Sequence, residues 1–379
     1  MAKNIIIIGP AHPLRGGLAT YNQLLATKLQ EQGNKVKIVT FSLQYPSFLF
    51  PGQTQYSTDP QPDNLEIEVA LNSINPLNWI ALGNRLKKEK PDLVILRYWM
   101  PFMGPSLGTV SRIIRKNKHT KVVAITDNII PHEKRFFDTS FTKYFLQSCD
   151  GFVTMSEAVL EDLKQFKSTK PSAYNPHPMY ESFGPQLAKN IAKQKRGLEE
   201  NAHYLLFFGF IRKYKGLDIL LEAFADKRIQ DLGIKLIIAG EYYDKPDEYQ
   251  AIIKKHNLEN ALVQANDFIP DSEVNTYFSA CDMVVQTYKS ATQSGVTQVA
   301  YFYNKPMLVT NVGGLAELVP HNKVGYVTAV DVQQIADAIV DFYTNKRESE
   351  FTENVKTERN RFTWASMIEK ILEVSKLAT

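Results

Sequence analysis

The chain is poor in cysteine. Only Cys149 and Cys281 occur in 379 residues, far apart and without a CxxC partner, which excludes a disulfide framework and a cysteine-based zinc site. Both are expected as buried apolar thiols. No apolar run approaches the ~20 residues that a membrane-spanning helix needs, and the opening residues lack the basic, apolar and small-residue order of a secretory leader. A cytoplasmic protein is the expectation. Helix-turn-helix, zinc-finger and aromatic RNA-binding patterns are also missing, and the net charge of +4 is modest, so no nucleic-acid partner is expected.

What is present is an ordinary globular composition, 44% hydrophobic and 22% charged, at a length that favours two domains with a cleft between them. The charge is unevenly spread. Residues 1–180 carry 21 Lys and Arg against 14 Asp and Glu, whereas the remainder carries 23 against 26. Part of the basic excess lies in "NRLKKEKP" (84–91) and "SRIIRKNKHTK" (111–121). Such runs suit solvated helix ends first, with a peripheral contact with an anionic membrane as the alternative.

The run "NIIIIG" (4–9) reads as a strand buried on both faces of a parallel sheet. A glycine-bearing loop, a helix with Leu24, Leu25 and Leu29 on one face, a Gly33 stop and a second strand complete a βαβ unit. Strand-like runs recur at 65–71, 92–99, 121–126 and 151–156. The stretch 168–186, with four prolines, reads as a hinge. A second alternating set follows, with strands at 204–211, 235–240, 261–266, 282–287, 306–310 and 325–328. The chain ends in an amphipathic segment (363–377) whose Trp364, Ile368, Ile371 and Leu372 can pack on an existing surface. The fold class is therefore α/β, two doubly wound domains facing each other across a cleft.

Ligands of such sheets bind beyond the carboxyl ends of the strands, so the loops leaving strands carry the candidates. Gly16 and Gly17 precede the first helix, where glycine lets a phosphate approach the backbone. Their spacing is not GxGxxG, and no acidic residue closes a second strand, which argues against a nicotinamide enzyme. In "FFGFIRKYKGLDILLEAF" (207–224), Arg212, Lys213 and Lys215 stand just ahead of a helix. Cations there oppose the helix dipole unless an anion sits between them. Arg212 and Lys215 are the better candidates, Lys213 being readable as a solvated lysine. In "ATQSGVTQVAYFYNKPMLVTNVGGLAELV" (291–319), the small residues Gln293, Ser294, Gly295, Val296 and Thr297 precede another helix and leave its first amides open to a diphosphate. Gly313 and Gly314 repeat the theme.

These residues resemble the donor half of retaining GT-B glycosyltransferases of the GT4 group, and "RGGLATYNQLLATKL" is similar to the family's first loop and helix. The resemblance runs over nearly the whole chain and is most specific from 204 to 319. It implies two Rossmann-like domains, residues 1–175 for the acceptor and 176–360 for the donor, with 361–379 as a helix returning toward the first. It further implies a nucleotide-diphosphate sugar, UDP- or GDP-linked, as co-substrate, with no cofactor, no metal, and transfer to a saccharide or lipid-linked acceptor with retention of configuration. Glu241, after "IIAG", matches a position facing the donor sugar, though a helix-cap carboxylate would look the same. Ile269, within "DFIP", lies where the family meets the base. On the acceptor side the resemblance points to Asp127, Asn128 and His132, with His12 in the glycine loop. His132, Arg212 and Lys215 are the catalytic candidates. His177, in the hinge, reads as structural.

Departures from the family pattern are equally specific. Phe210 follows Gly209 where a Gly-Arg pair is common, and Arg212 is the candidate substitute. The usual glutamates are absent, the first falling near Ser290, Ala291 or Thr292 and the second near Gln298 to Ala300. A non-catalytic nucleotide-sugar binder and a GT-B sugar-nucleotide epimerase stay open as alternatives.

Overall fold

The computed structural model describes residues 2–46, 54–57, 60–130, 136–166, 168–291 and 294–377. The chain forms two compact units, Met1–Pro178 with Thr363–Thr379, and Met179–Phe362.

The first unit is built on seven parallel strands: β1 (Asn4–Ile8), β2 (Lys35–Leu43), β3 (Glu66–Asn72), β4 (Leu93–Tyr98), β5 (Lys121–Thr126), β6 (Gly151–Thr154) and β7 (Ser172–Tyr174), in the order β3-β2-β1-β4-β5-β6-β7. Ile5 to Ile8 are each at most 1% exposed, as a strand covered on both faces requires. β1 pairs with β2 on one side and β4 on the other. The strand order therefore reverses at β1, and the loops leaving β1 and β4 open a crevice at the carboxyl edge. Strand β7 corrects the expectation of an irregular hinge over 168–186. Its three residues pair with Phe152 to Thr154 of β6, and Pro171 and Pro176 bracket a segment too short to show a period of two.

The terminal helix Trp364–Leu377 belongs to this first unit and packs on β5, β6 and β7. Trp364, Met367, Ile368, Ile371 and Val374 are all nearly inaccessible, each worth about 1.5–3 kcal/mol of gross transfer free energy. The helix comes this close because residue 151 has no side chain. A Cβ there would lie 2.4 Å from Val374 Cγ1.

The second unit holds six parallel strands: β8 (Tyr204–Phe208), β9 (Lys235–Ala239), β10 (Leu262–Ala265), β11 (Met283–Gln286), β12 (Met307–Thr310) and β13 (Gly325–Thr328), in the order β10-β9-β8-β11-β12-β13. Here the reversal falls at β8, which pairs with both β9 and β11. Residues 209–216 and 287–291, remote in sequence, thus leave neighbouring strands at the same edge. β8 stops at Phe208, short of the expected 211, because Gly209 turns to φ +92. The core is apolar and closed, with Leu205, Phe207, Leu220, Leu236, Ile238, Val285 and Leu308 at 1% exposure or less. Among the described residues no helix is long and apolar enough to cross a membrane.

Candidate active site

The second unit assembles its candidate site from the two loops at the β8/β11 reversal. Gly209 lies against both. A Cβ on it would sit 3.1 Å from Lys215 Nζ and 3.7 Å from Val296 Cγ2, so the bare backbone at the strand end, the lysine ammonium and the first turn of helix Gly295–Phe302 share one small volume. Lys213–Lys215 form a single 3-10 turn, and Gly216 then passes through the left-handed region at φ +67 into helix Leu217–Phe224. Glycine is required there twice over, by that φ and because a Cβ would lie 2.0 Å from the Thr287 carbonyl oxygen. Two bonds stitch the turn to the β11 exit. Thr287 Oγ1 donates to the Gly216 carbonyl at 2.8 Å and Lys289 N–H to the Tyr214 carbonyl at 2.6 Å.

Ser294 caps helix Gly295–Phe302, its Oγ accepting from Val296 N–H at 3.3 Å, and the Tyr288 hydroxyl lies 3.2 Å from the same oxygen. This corrects part of the expectation for residues 294–297, since one amide taken as open is already capped. Thr297 is fully buried and turns inward, donating to Gln286 Oε1 at 3.1 Å.

The cations of the loop separate into two kinds. Lys213 is largely exposed and pairs with Glu248 at 2.9 Å, and Lys289 pairs with Asp218 at 2.7 Å. Both behave as ordinary surface ion pairs. Lys215 is only 8% exposed and has no carboxylate partner among the described residues. Burial, with the Arg212 guanidinium beside it, pushes its ammonium down to about 7. Arg212 also lacks a carboxylate partner among the described residues, and its guanidinium lies 4.6 Å from the Tyr243 ring centroid. A buried ammonium without a counter-ion is costly unless an anion arrives to pair with it.

Glu241 is 3% exposed and joins the site through its backbone, whose carbonyl accepts from Ile211 N–H at 2.8 Å. Ile269 is 8% exposed in the loop after β10. Gln293 and His132 lie outside the described residues.

The remaining candidates belong to the first unit. Gly16 is the N-cap of helix Gly17–Glu31, at φ +102. His12 is half-buried and its N–H donates to Gln23 Oε1 at 2.8 Å. Asp127, at the end of β5, receives Arg97 Nε at 2.7 Å and its terminal nitrogen at 2.6 Å, a buried bidentate pair. The Arg97 guanidinium also lies 3.9 Å from the Tyr21 ring centroid. Asn128, next along, is half-buried. His177 is buried with its Nδ1 2.6 Å from the Pro178 carbonyl oxygen, and burial together with Arg97 lowers it to about 3, so it stays neutral.

Tyr288 carries no mark in the sequence, and Gln298 enters it only as a position where a family glutamate would fall. Tyr288 braces Ser294 and lies 5.7 Å from Lys215 Nζ by its ring centroid. Gln298, within the stretch where the second family glutamate would fall, is fully buried with both side-chain amide atoms lacking a partner among the described residues. A tyrosine between two motifs has no periodic signal, and a glutamine in an apolar helix reads as solvent-facing until the packing is known.

Fold and site together define a two-unit α/β protein with a cationic, glycine-bearing strand-end loop. The family model for glycosyl transferases group 1 matches residues 188–358, and that for glycosyltransferase family 4 matches residues 15–173. The chain belongs to this GT4-type family of GT-B glycosyltransferases. A D-inositol 3-phosphate glycosyltransferase of Corynebacterium urealyticum is 22% identical over 310 residues, 75% of this chain and 70% of that one. Another, from Pseudarthrobacter chlorophenolicus, is 28% identical over 149 residues, and there the match spans 38% of this chain and 35% of the relative's length. Among solved structures, Anabaena HepE in complex with UDP superposes with a TM-score of 0.75 at 16% identity, covering 98% of each chain.

Proposed function

We propose that this protein is a glycosyltransferase that moves a sugar from a UDP- or GDP-sugar to a saccharide or lipid-linked acceptor, with retention of configuration and without a metal ion, in surface glycan or polysaccharide synthesis. The observation that carries the reading is Lys215, an almost inaccessible ammonium with Arg212 beside it, the first turn of helix Gly295–Phe302 against the same glycine, and no carboxylate among the described residues to neutralise either cation. A diphosphate supplies the missing charge. The UDP held by HepE supports the same class of ligand.

In this mechanism the bond between the anomeric carbon and the terminal diphosphate oxygen breaks while the acceptor hydroxyl oxygen attacks from the same face, and its proton passes to the departing phosphate oxygen. Arg212 and Lys215 stabilise the charge that develops on the leaving group, a preorganised electrostatic role. Gly16, Gly17, Glu241, Ile269, Gln293, Ser294, Gly295, Val296 and Thr297 complete the donor contacts, and His12, Asp127, Asn128 and His132 the acceptor side, with His132 a catalytic group. Asp127 serves there as a positioning carboxylate, because Arg97 already occupies both its oxygens.

The enzyme is proposed to work in the cytoplasm, touching anionic membrane peripherally. Arg115, Lys118 and Lys121, which line a depression of about 410 Å³ in the first unit, motivate the membrane part of this proposal alone; Arg115 there pairs with Asp150, and the Lys170 ammonium donates to the Leu146, Gln147 and Cys149 carbonyls. Isothermal titration with UDP, GDP and ADP on the wild type and the Arg212→Ala, Lys215→Ala double variant tests the donor reading. Binding of one nucleotide that disappears in the variant supports it; binding of none removes it. The missing family glutamates favour one rival, a non-catalytic nucleotide-sugar binder, which release or transfer of the sugar from a bound donor would eliminate.

A further inference from the structure

Helix Pro76–Glu89 of the first unit has two unlike sides. Leu82, Gly83 and Leu86 are buried on the inner one, where a Cβ on Gly83 would lie 2.9 Å from Ile113 Cβ. The outer side opens with aliphatic groups in water. Ile74, just ahead of the helix, Leu77 and Ile80 are 49%, 77% and 47% exposed. Side chains three apart in a helix are surface neighbours, so Leu77 and Ile80 form a ridge that Ile74 extends. Hydrogen bonds fix the chain beneath it. Asn75 Oδ1 accepts from Leu77 and Asn78 N–H at 3.0 and 3.3 Å, and Asn72 Oδ1 accepts from Ile74 N–H at 3.1 Å. Asn78 Nδ2 donates to the Ala70 carbonyl at 2.9 Å, and Trp79 Nε1 to the Asn72 carbonyl at 2.6 Å. Exposed aliphatic residues scattered singly need no explanation, whereas a contiguous, fixed ridge marks a contact surface.

The far half of the same side is cationic. Leu77, Ala81, Asn84 and Lys88 recur at the spacing of one helix face and are all exposed, which sets Lys88 roughly 16 Å along the axis from Leu77. The acids nearby are already engaged, Glu68 and Glu89 pairing with Lys37 and Arg85. Lys87, Lys88 and Lys90 have no carboxylate partner among the described residues. Asn117 Nδ2 donates to the Lys87 carbonyl at 3.4 Å, joining this end to the turn that bears Lys116 and Lys118. Lysines suit the C-terminus of any helix, so the dipole accounts for them. It does not account for Leu77. An aliphatic ridge running into unpaired lysines complements the interface of an anionic bilayer, where the acyl boundary takes the first and the phosphates the second.

We propose that Ile74, Leu77 and Ile80 insert into the interface of an anionic bilayer, with Lys87 and Lys88 held at its phosphates, so that helix Pro76–Glu89 lies against the membrane with its start lowest. The inference rests on the membrane part of the reading above and adds the element that enters the bilayer, an apolar mode of attachment, and a tilt. The tilt bears on the acceptor. Ile74 follows β3, so the ridge stands at the carboxyl edge of the first sheet, the edge whose loops after β1 and β5 carry His12, Asp127 and Asn128. With the ridge lowest, that edge turns toward the headgroups, the orientation that serves a lipid-linked acceptor rather than a soluble saccharide.

Two measurements on the full chain test this, with vesicles of phosphatidylglycerol and phosphatidylcholine. The first is cosedimentation of the wild type and of Leu77→Glu with Ile80→Glu. Both positions are exposed, so the variant should keep the wild-type melting temperature and lose about tenfold or more in vesicle partitioning. The second uses a thiol-reactive nitrobenzoxadiazole probe at Leu77→Cys or at Lys88→Cys, Cys149 and Cys281 being buried. Vesicles should shift the probe emission to the blue at 77 and leave it in place at 88. Undiminished binding by the double variant, with no shift at 77, would overturn the insertion and leave the electrostatic contact at the depression standing. A larger shift at 88 than at 77 would overturn the tilt and the ridge with it. If the wild type binds no vesicles, the membrane reading fails and this inference fails with it.

Discussion

Replacing Lys215 by methionine separates a stabilising lysine from a ligand-binding one, because the two roles predict opposite signs. Methionine keeps an unbranched chain of similar length and removes the charge. The ammonium is 8% exposed without a carboxylate partner among the described residues, and burial with Arg212 nearby lowers it from 10.5 to about 7. At ~1.4 kcal/mol for each pH unit, this displacement caps the cost of the buried amine at about 5 kcal/mol. The variant regains part of that, so its apo melting temperature should rise by several degrees, at roughly 2–4 °C for each kcal/mol in a unit of this size. Nucleotide binding should move the other way. Loss of a charge-assisted hydrogen bond of about 1.5–3 kcal/mol weakens the diphosphate by roughly ten- to a hundredfold.

The pH dependence follows from the same displacement. The unfolded chain keeps its ordinary lysine and so binds more protons than the folded chain between pH 7 and 10.5. Stability of the unliganded wild type therefore rises with pH across that window, and Lys215→Met should lose that contribution. Binding a diphosphate draws a proton onto Lys215, so wild-type affinity should fall as pH rises above about 7, while the variant's weaker affinity should lack this component. Differential scanning fluorimetry and isothermal titration from pH 6 to 9, with UDP and GDP, read both effects. A variant with a lower apo melting temperature and an unchanged ligand shift would refute the reasoning and make Lys215 a structural residue.

Asp127→Ala should destabilise the first unit by about 3–5 kcal/mol, because it removes the carboxylate that accepts from both Nε and a terminal nitrogen of the buried Arg97 guanidinium; an unchanged urea midpoint would show that the guanidinium does not need that carboxylate. Gly216→Ala should cost roughly 2 kcal/mol or more, since its φ of +67 and the 2.0 Å approach to the Thr287 carbonyl leave no room for a methyl group. Thermal unfolding of the variant checks this, and a wild-type midpoint would count against the loop geometry. Lys118→Glu with Lys121→Glu should abolish low-salt cosedimentation with phosphatidylglycerol vesicles, whereas equal binding by wild type and variant, or none by either, would end the proposal of membrane contact at that depression.

The sheet architecture was legible because buried parallel strands write themselves as unbroken apolar runs. "NIIIIG", "KVVAIT" and "KLIIAG" correspond to β1, β5 and β9 within a residue. Strand β7 was not, since three residues between prolines cannot display a period. The cation loop could be nominated from "RKYKG", because helix-dipole physics makes adjacent cations unusual there. Which of its cations is special could not be read, for Lys213 and Lys215 are alike as letters and differ in burial and in whether a carboxylate on another element reaches them.

By itself the sequence determined the class of fold, the two alternating halves, and the placing of glycines and cations at strand ends, all of which depend on local patterning. Only the tertiary structure decided that residues 209–216 and 287–291 share one edge, because strand order is fixed by which faces find cover rather than by position along the chain. The return of the terminal helix to the first unit was expected from the family resemblance, and the structure supplied the reason it can pack so closely, the missing Cβ at Gly151. Charge pairing belongs to the same category. Arg97 with Asp127, and Lys215 with no carboxylate among the described residues, are matters of distance across the fold, and an electrostatic role exists only once those distances are set.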